Sequence, residues 1–206
     1  DNPARLDALK DHLPSRPKVE HHKAMPYTDL PPLMASLRER DSLSARALEF
    51  AVLTAARTNE VIGAKWSEIN LEQSVWIIPA ARMKAKRDHR VPLSDRAVEI
   101  LRELSRKGDR VFRLSNMAML ELVRGMAGNG YTVHGFRSTF SDWCRDRTNY
   151  ARDVIEMALA HTIKDKSEAA YRRGDALDKR RRLMVEWSRY CESVTGHAHN
   201  VTALRA

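Results

Sequence analysis

Cysteine is almost missing from this chain of 206 residues. The two present, Cys144 and Cys191, each fall in an apparently helical apolar stripe, which reads as a buried free thiol and excludes a disulfide framework. Hydrophobic runs are short: none approaches the roughly 20 residues needed to cross a bilayer, and the opening "DNPARLDALKDHLPSRPK" has no apolar core of the signal-peptide kind. The expectation is a soluble, intracellular protein. Internal repeats and low-complexity tracts are absent, and the adjacent His21 and His22 make a poor metal site by themselves, so neither metal nor cofactor is expected. The chain starts with Asp1 and not with methionine, which suggests a piece of something longer.

Acidic residues are in deficit, 27 against 36 lysines and arginines, for a formal charge of +9. A cationic surface attracts polyanions and releases their condensed counterions, so nucleic acid is the leading partner and an anionic membrane surface the other. The length suits one domain with a real core, plus tails. The cationic residues are unevenly spread. Arg82, Lys84, Lys86, Arg87 and Arg90 stand against Asp88 alone, and Arg172, Arg173, Lys179, Arg180, Arg181 and Arg182 against Asp175 and Asp178. Such runs are usually solvated faces, yet here they flank one helix and one tyrosine in the manner of a phosphate-tracking surface.

The first 24 residues, charged and interrupted by prolines, read as a linker or arm. A helix is expected after Pro32, and another from Ser42 or Ser44 with Leu48, Ala51, Val52 and Ala55 on one face. Thr58 is positioned to cap the short helix "NEVIGAKW", which puts Arg57 at a tight junction. "SVWIIPA" (74–80) reads as a strand, and "RMKAKRDHRVPLS" (82–94) as two more around a polar turn, giving a small three-stranded sheet. Beyond Ser94 the pattern is helical, broken near Gly108, at 128–130 and at Gly174. In "TVHGFRSTFSDWCRD", Phe136, Phe140 and Trp143 share one side, leaving His134, Arg137 and Ser141 on a surface or cleft. The last helix is expected to start with Asp175 as N-cap, its seam of Met184, Trp187, Cys191 and Val194 packing on its own domain.

Phosphoryl transfer without a metal needs cations on the non-bridging oxygens, a nucleophile, a proton acceptor for it and a donor for the leaving oxygen. Arginine suits the first task because its planar fork matches phosphate oxygens in pairs. Tyrosine can attack, but with a reference pKa near 10 it needs help. Arg57 in "LTAARTNEVIGAKW", Lys84 in "RMKAKRDHRVPLS", His134 and Arg137 in "HGFR", His161 in "LAH" and Tyr171 in "EAAYRRGD" stand in an order similar to the catalytic set of the tyrosine recombinases. Each motif alone is weak, and all of them in order make a strong signal. From about residue 25 to 192, tail "DKRRRLMVEWSRYC" included, the chain resembles the catalytic domain of a phage-type or genomic-island integrase.

That resemblance implies a mainly helical α+β domain with a small three-stranded antiparallel sheet over 25–196, followed by a tail over 197–206. It implies that Tyr171 forms a 3′-phosphotyrosyl link while Arg57 and Arg137 clamp the scissile phosphate. Lys84 would protonate the departing 5′-oxygen, with Lys86 as its rival; His134 would assist proton transfer at the tyrosine, His161 would bond a phosphate oxygen, and Glu60 would brace the site. Lys86, Arg87, Arg172 and Arg173 are candidates for backbone phosphates. Implied partners are double-stranded attachment sites, further protomers in a tetrameric synapse although this piece alone can be monomeric, and excision or accessory factors, all in the bacterial cytoplasm or nucleoid and away from membranes. A type IB topoisomerase-like activity and a non-catalytic basic DNA-binding module are the alternatives.

Overall fold

The computed structural model describes residues 23–161 and 174–193. After a short 3-10 turn at Tyr27–Asp29 come α1 (Leu30–Arg38), α2 (Leu43–Thr54) and α3 (Thr58–Ile62). Strands β1 (Ile69–Asn70), β2 (Val75–Ile78) and β3 (His89–Pro92) follow. The chain continues as α4 (Asp95–Glu103), α5 (Ala118–Ala127), α6 (Gly135–Arg147), α7 (Arg152–Ala158) and α8 (Leu177–Glu192). This is the mainly helical domain expected, with a three-stranded antiparallel sheet in the order β1-β2-β3.

The sheet has the expected number of strands but a different membership. Only one strand comes from 82–94, because 80–82 wind into a 3-10 turn and 83–88 form an irregular connection. The remaining strand is the two-residue β1, paired Ile69 to Trp76 and Asn70 to Val75. Helix α1 begins at Leu30, ahead of Pro31 and Pro32, which the first turn tolerates because its N–H groups have no helical acceptor. Ser42 caps α2, its hydroxyl accepting from the Ala45 N–H at 3.2 Å.

Two other caps differ from expectation. Arg57, and not Thr58, occupies the N-cap of α3, and the Glu60 carboxylate reaches back to accept the Arg57 N–H at 2.8 Å. Helix α8 is entered from Ala176 in the left-handed region (φ 49°), which frees Asp175 for ion pairing.

Helix α8 is the spine of the fold, with α1, α2, α7 and β3 packed on it. Its seam of Met184, Trp187 and Cys191 is buried against its own domain, while Val194 lies outside the described residues. Trp187 meets Trp143 at 5.0 Å and Phe140 at 5.2 Å between ring centroids, and its indole N–H donates to Val52 O at 2.8 Å. Burying each such ring contributes about 1.5–3 kcal/mol, and together they fix α6, α2 and α8 to one another. Burial raises both cysteine thiols well above their ordinary range, so both remain protonated and inert. Among the described residues no helix is long and apolar enough to cross a membrane.

Candidate active site

Helix α2 ends at Ala55, which adopts the left-handed conformation (φ 49°, ψ 27°) and so turns the chain sharply into Arg57. The guanidinium of Arg57 donates to Glu60 Oε1 at 2.6 Å and to Ala160 O at 3.3 Å. Arg137, one turn into α6, donates to Ala55 O and, at 2.5 Å, to Leu159 O. Two arginines distant in sequence thus converge on the C-terminal carbonyls of α7, where the negative end of the helix dipole favours cations.

Arg137 is only 5% exposed, where a surface or cleft was expected, and Ser141 is buried with it. The aromatic side does face the core, but on the opposite side Arg137 is covered by the ends of α2 and α7. Backbone carbonyls make this burial tolerable by replacing water as acceptors. Its Nε, also buried, has no partner among the described residues. Burial first, then the nearby charge of Arg57, brings Arg137 down to about 10, opposed by Glu60. It is still a cation at neutral pH.

His134 is exposed at the N-cap of α6, one turn before Arg137. His161 terminates α7: its N–H donates to Glu156 O at 2.9 Å and its Nδ1 lies 2.7 Å from Glu156 Oε2. Lys84, Lys86 and Arg87 are exposed on the connection between β2 and β3. A turn closed by the Lys86 N–H on Met83 O at 3.1 Å, and the Ala80 N–H on Asp88 Oδ1 at 2.8 Å, give that connection its shape. Tyr171, Arg172 and Arg173 lie outside the described residues. The structure therefore brings Arg57, Arg137 and Glu60 to one locus at the carbonyls of Leu159 and Ala160, just ahead of His161, and puts Lys84 on a separate, solvent-facing connection.

The two basic runs are not uniformly phosphate-tracking. Arg82 is committed to Glu68 and to the carbonyls of α3. Arg180, 1% exposed, donates to Arg90 O at 2.6 Å and to Asp175 Oδ2 at 2.8 Å, while Arg181 bonds Gln73 O and Ser74 O. Arg90 completes a bidentate pair with Asp175 at 2.8 and 2.6 Å. Burial would raise the Asp175 carboxyl, but the Arg90 hydrogen bonds and the Arg180 charge hold it below the usual carboxylate range. These arginines anchor α8 to the sheet.

His89, which motif reading passed over, belongs to the same neighbourhood. It heads β3 on the face it shares with buried Val91. Burial, then Arg180, Arg137 and Arg57, push it down to about 4, opposed in part by Glu60. It is a neutral imidazole beside three guanidiniums. Strand alternation counted from Val91 was the available signal, and with only four strand residues it was a faint one. Among the described residues no group of three or more histidines, cysteines or carboxylates is arranged to hold a metal ion.

The sequence pattern of the phage integrase family matches residues 23–176, and the chain belongs to that family. It is 36% identical to prophage integrase IntA of Escherichia coli strain K12, covering 90% of this chain and 50% of that protein. It is 33% identical to prophage integrase IntZ of the same strain, covering 93% and 49%. The chain thus spans about half the length of the curated relatives it matches. Its fold is similar to that of an integrase from mycobacterium phage Brujita (TM-score 0.60, 18% identity, 84% of this chain and 60% of that one). The XerA recombinase has a similar fold too, with a TM-score of 0.54 at 15% identity, over 84% of this chain and 68% of that one.

Proposed function

We propose that this chain is the strand-transfer domain of a tyrosine-type site-specific recombinase that integrates and excises a mobile genetic element. The observation that carries the reading is the gathering of Arg57 and Arg137 at the end of α7 with Glu60 as the one carboxylate bonded to them among the described residues. Two guanidiniums and one carboxylate leave a surplus positive charge in a partly dry place, which a phosphodiester would neutralise.

In the proposed reaction the Tyr171 phenol oxygen attacks the phosphorus of one DNA strand. A new P–O bond to tyrosine forms, the bond to the 5′-oxygen breaks, and a 3′-phosphotyrosyl ester is left with a free 5′-hydroxyl. Arg57 and Arg137 hold the non-bridging oxygens and meet the charge that develops on them. Lys84 protonates the departing 5′-oxygen, His134 assists the tyrosine proton, and His161 donates to a phosphate oxygen. Glu60 orients Arg57 through its paired bonds. Attack by the 5′-hydroxyl of another strand reverses the chemistry and rejoins DNA. The phosphoester is conserved throughout, so no nucleotide cofactor is consumed. Paired attachment sites, a tetrameric synapse, accessory factors that set direction and a bacterial cytoplasmic or nucleoid setting complete the proposal.

Incubation with a nicked duplex from the element's own end should give a covalent adduct that shifts on a denaturing gel. Tyr171→Phe should abolish it while leaving DNA binding within about threefold, since only the nucleophilic oxygen is lost. An adduct that survives in this variant would overturn the assignment. Joining of two differently labelled sites is the outcome that separates recombination from simple relaxation.

A further inference from the structure

We propose that Arg82 is a positioning residue that sets Lys84 against the scissile phosphate, an inference that rests on Lys84 being the general acid. The connection between β2 and β3 offers few attachments. Lys84, Lys86, Arg87 and Asp88 are exposed, and Met83 is the buried residue next to Lys84. Arg82, one step earlier, makes the strong contacts. Its Nη1 donates to both oxygens of Glu68, at 2.6 and 2.5 Å, and its Nη2 donates to Glu60 O at 2.5 Å and Asn59 O at 3.4 Å. Glu68 is 8% exposed and held from behind by the Trp76 indole N–H at 3.0 Å and the Lys65 N–H at 3.3 Å. The anchor is therefore tied to the core.

Where Arg82 lands gives it a function beyond stability. Its Nη2 sits on the carbonyls of Asn59 and Glu60, the second and third residues of α3, the five-residue helix whose N-cap is Arg57. That helix is about 7 Å long at 1.5 Å per residue. It joins the phosphate-clamping arginine at its N-cap to the root of the lysine connection, held two and three residues further on. Gly63 leaves room for this: a Cβ there would stand 2.7 Å from Arg82 Nη2. Lysine cannot replace the arginine, because a single ammonium cannot serve a carboxylate and a carbonyl pair as a rigid fork does.

The test compares cleavage of two nicked duplexes by the 206-residue chain, one with the natural 5′-oxygen leaving group and one with sulfur in its place, since a thiolate departs without a proton. Lys84→Ala sets the benchmark, with about 100-fold slowing on oxygen and less than about tenfold on sulfur. Arg82→Lys, which keeps the charge, and Gly63→Ala, which displaces the Arg82 guanidinium, should each slow the oxygen substrate about tenfold and the sulfur substrate less than about threefold. Adding Arg82→Lys to Lys84→Ala should cost nothing more on oxygen, as expected of residues that act through one step. Thermal melts of both variants read out the structural contribution separately. Equal slowing of the two substrates by Arg82→Lys, with sulfur rescue intact for Lys84→Ala, overturns the role of Arg82 alone. Equal slowing by Lys84→Ala overturns the general-acid reading and the Arg82 role with it.

Discussion

Two cationic regions of this domain, the Arg57–Arg137 locus and the connection between β2 and β3, are built on opposite plans. Arg57 and Arg137 are held by carbonyls from the ends of two helices and by one carboxylate, with Arg137 almost wholly removed from water. Lys84, Lys86 and Arg87 are exposed on a connection held through Arg82 and Met83. The difference matches what each step of the proposed reaction would need. A clamp on a pentavalent phosphorus works by preorganisation, so its donors should be fixed before substrate arrives. A proton donor has to approach an oxygen that moves as its bond breaks, so it gains from reach and from a solvated ammonium.

The sharpest way to break that contrast is at Arg137. Arg137→Lys keeps the charge but cannot span Ala55 O and Leu159 O at once. Covalent adduct formation should fall by about a hundredfold or more, the scale of losing one preorganised transition-state donor. A rate within about threefold of the parent would mean that the buried fork is structural and the clamp lies elsewhere.

A smaller effect should separate the buried region from the exposed one by pH. His89 is pushed from 6.5 to about 4, so the folded protein keeps it neutral while the unfolded chain takes a proton. Between those two values the unfolded state binds more protons, and stability declines as pH falls through the window. Above pH 6.5 the residue makes no difference of this kind. In His89→Gln the dependence of Tm on pH between about 6.5 and 4 should flatten. An unaltered slope would show that the imidazole takes up its proton as readily folded as unfolded.

Local pattern was enough for some of this architecture and useless for the rest. The aromatic side of α6 and the seam of α8 were legible because burial there follows a helix period, and strand β2 because its residues are β-branched and aromatic. The burial of Arg137 was not, since its acceptors lie 82 and 22 residues away and belong to backbone, which carries no side-chain signature. The same holds for Arg180, which sits in a basic run yet is buried through Asp175 and the carbonyl of Arg90. Strand β1, at two residues, is too short to show alternation. For the site, motif order pointed to the residues of the clamp, whereas Arg82 stood in the sequence as one charge of a basic run and His89 not at all, and only contacts across the fold give them their places.

The smallest expected effect sharpens the choice between the two lysines of the exposed connection. Lys86 holds φ at 52°, a left-handed conformation that costs a side chain about 1 kcal/mol. Lys86→Gly relieves that cost while adding the backbone entropy glycine loses on folding, so stability should change by less than about 1 kcal/mol. The turn that displays Lys84 would be preserved, because the bond from residue 86 N–H to Met83 O needs no side chain. If Lys84 is the acid, this variant should cleave the oxygen-leaving substrate at close to the parental rate. A hundredfold loss that sulfur restores would instead transfer the proton-donor role to Lys86, and the anchor at Arg82 would then hold the root of a longer lever.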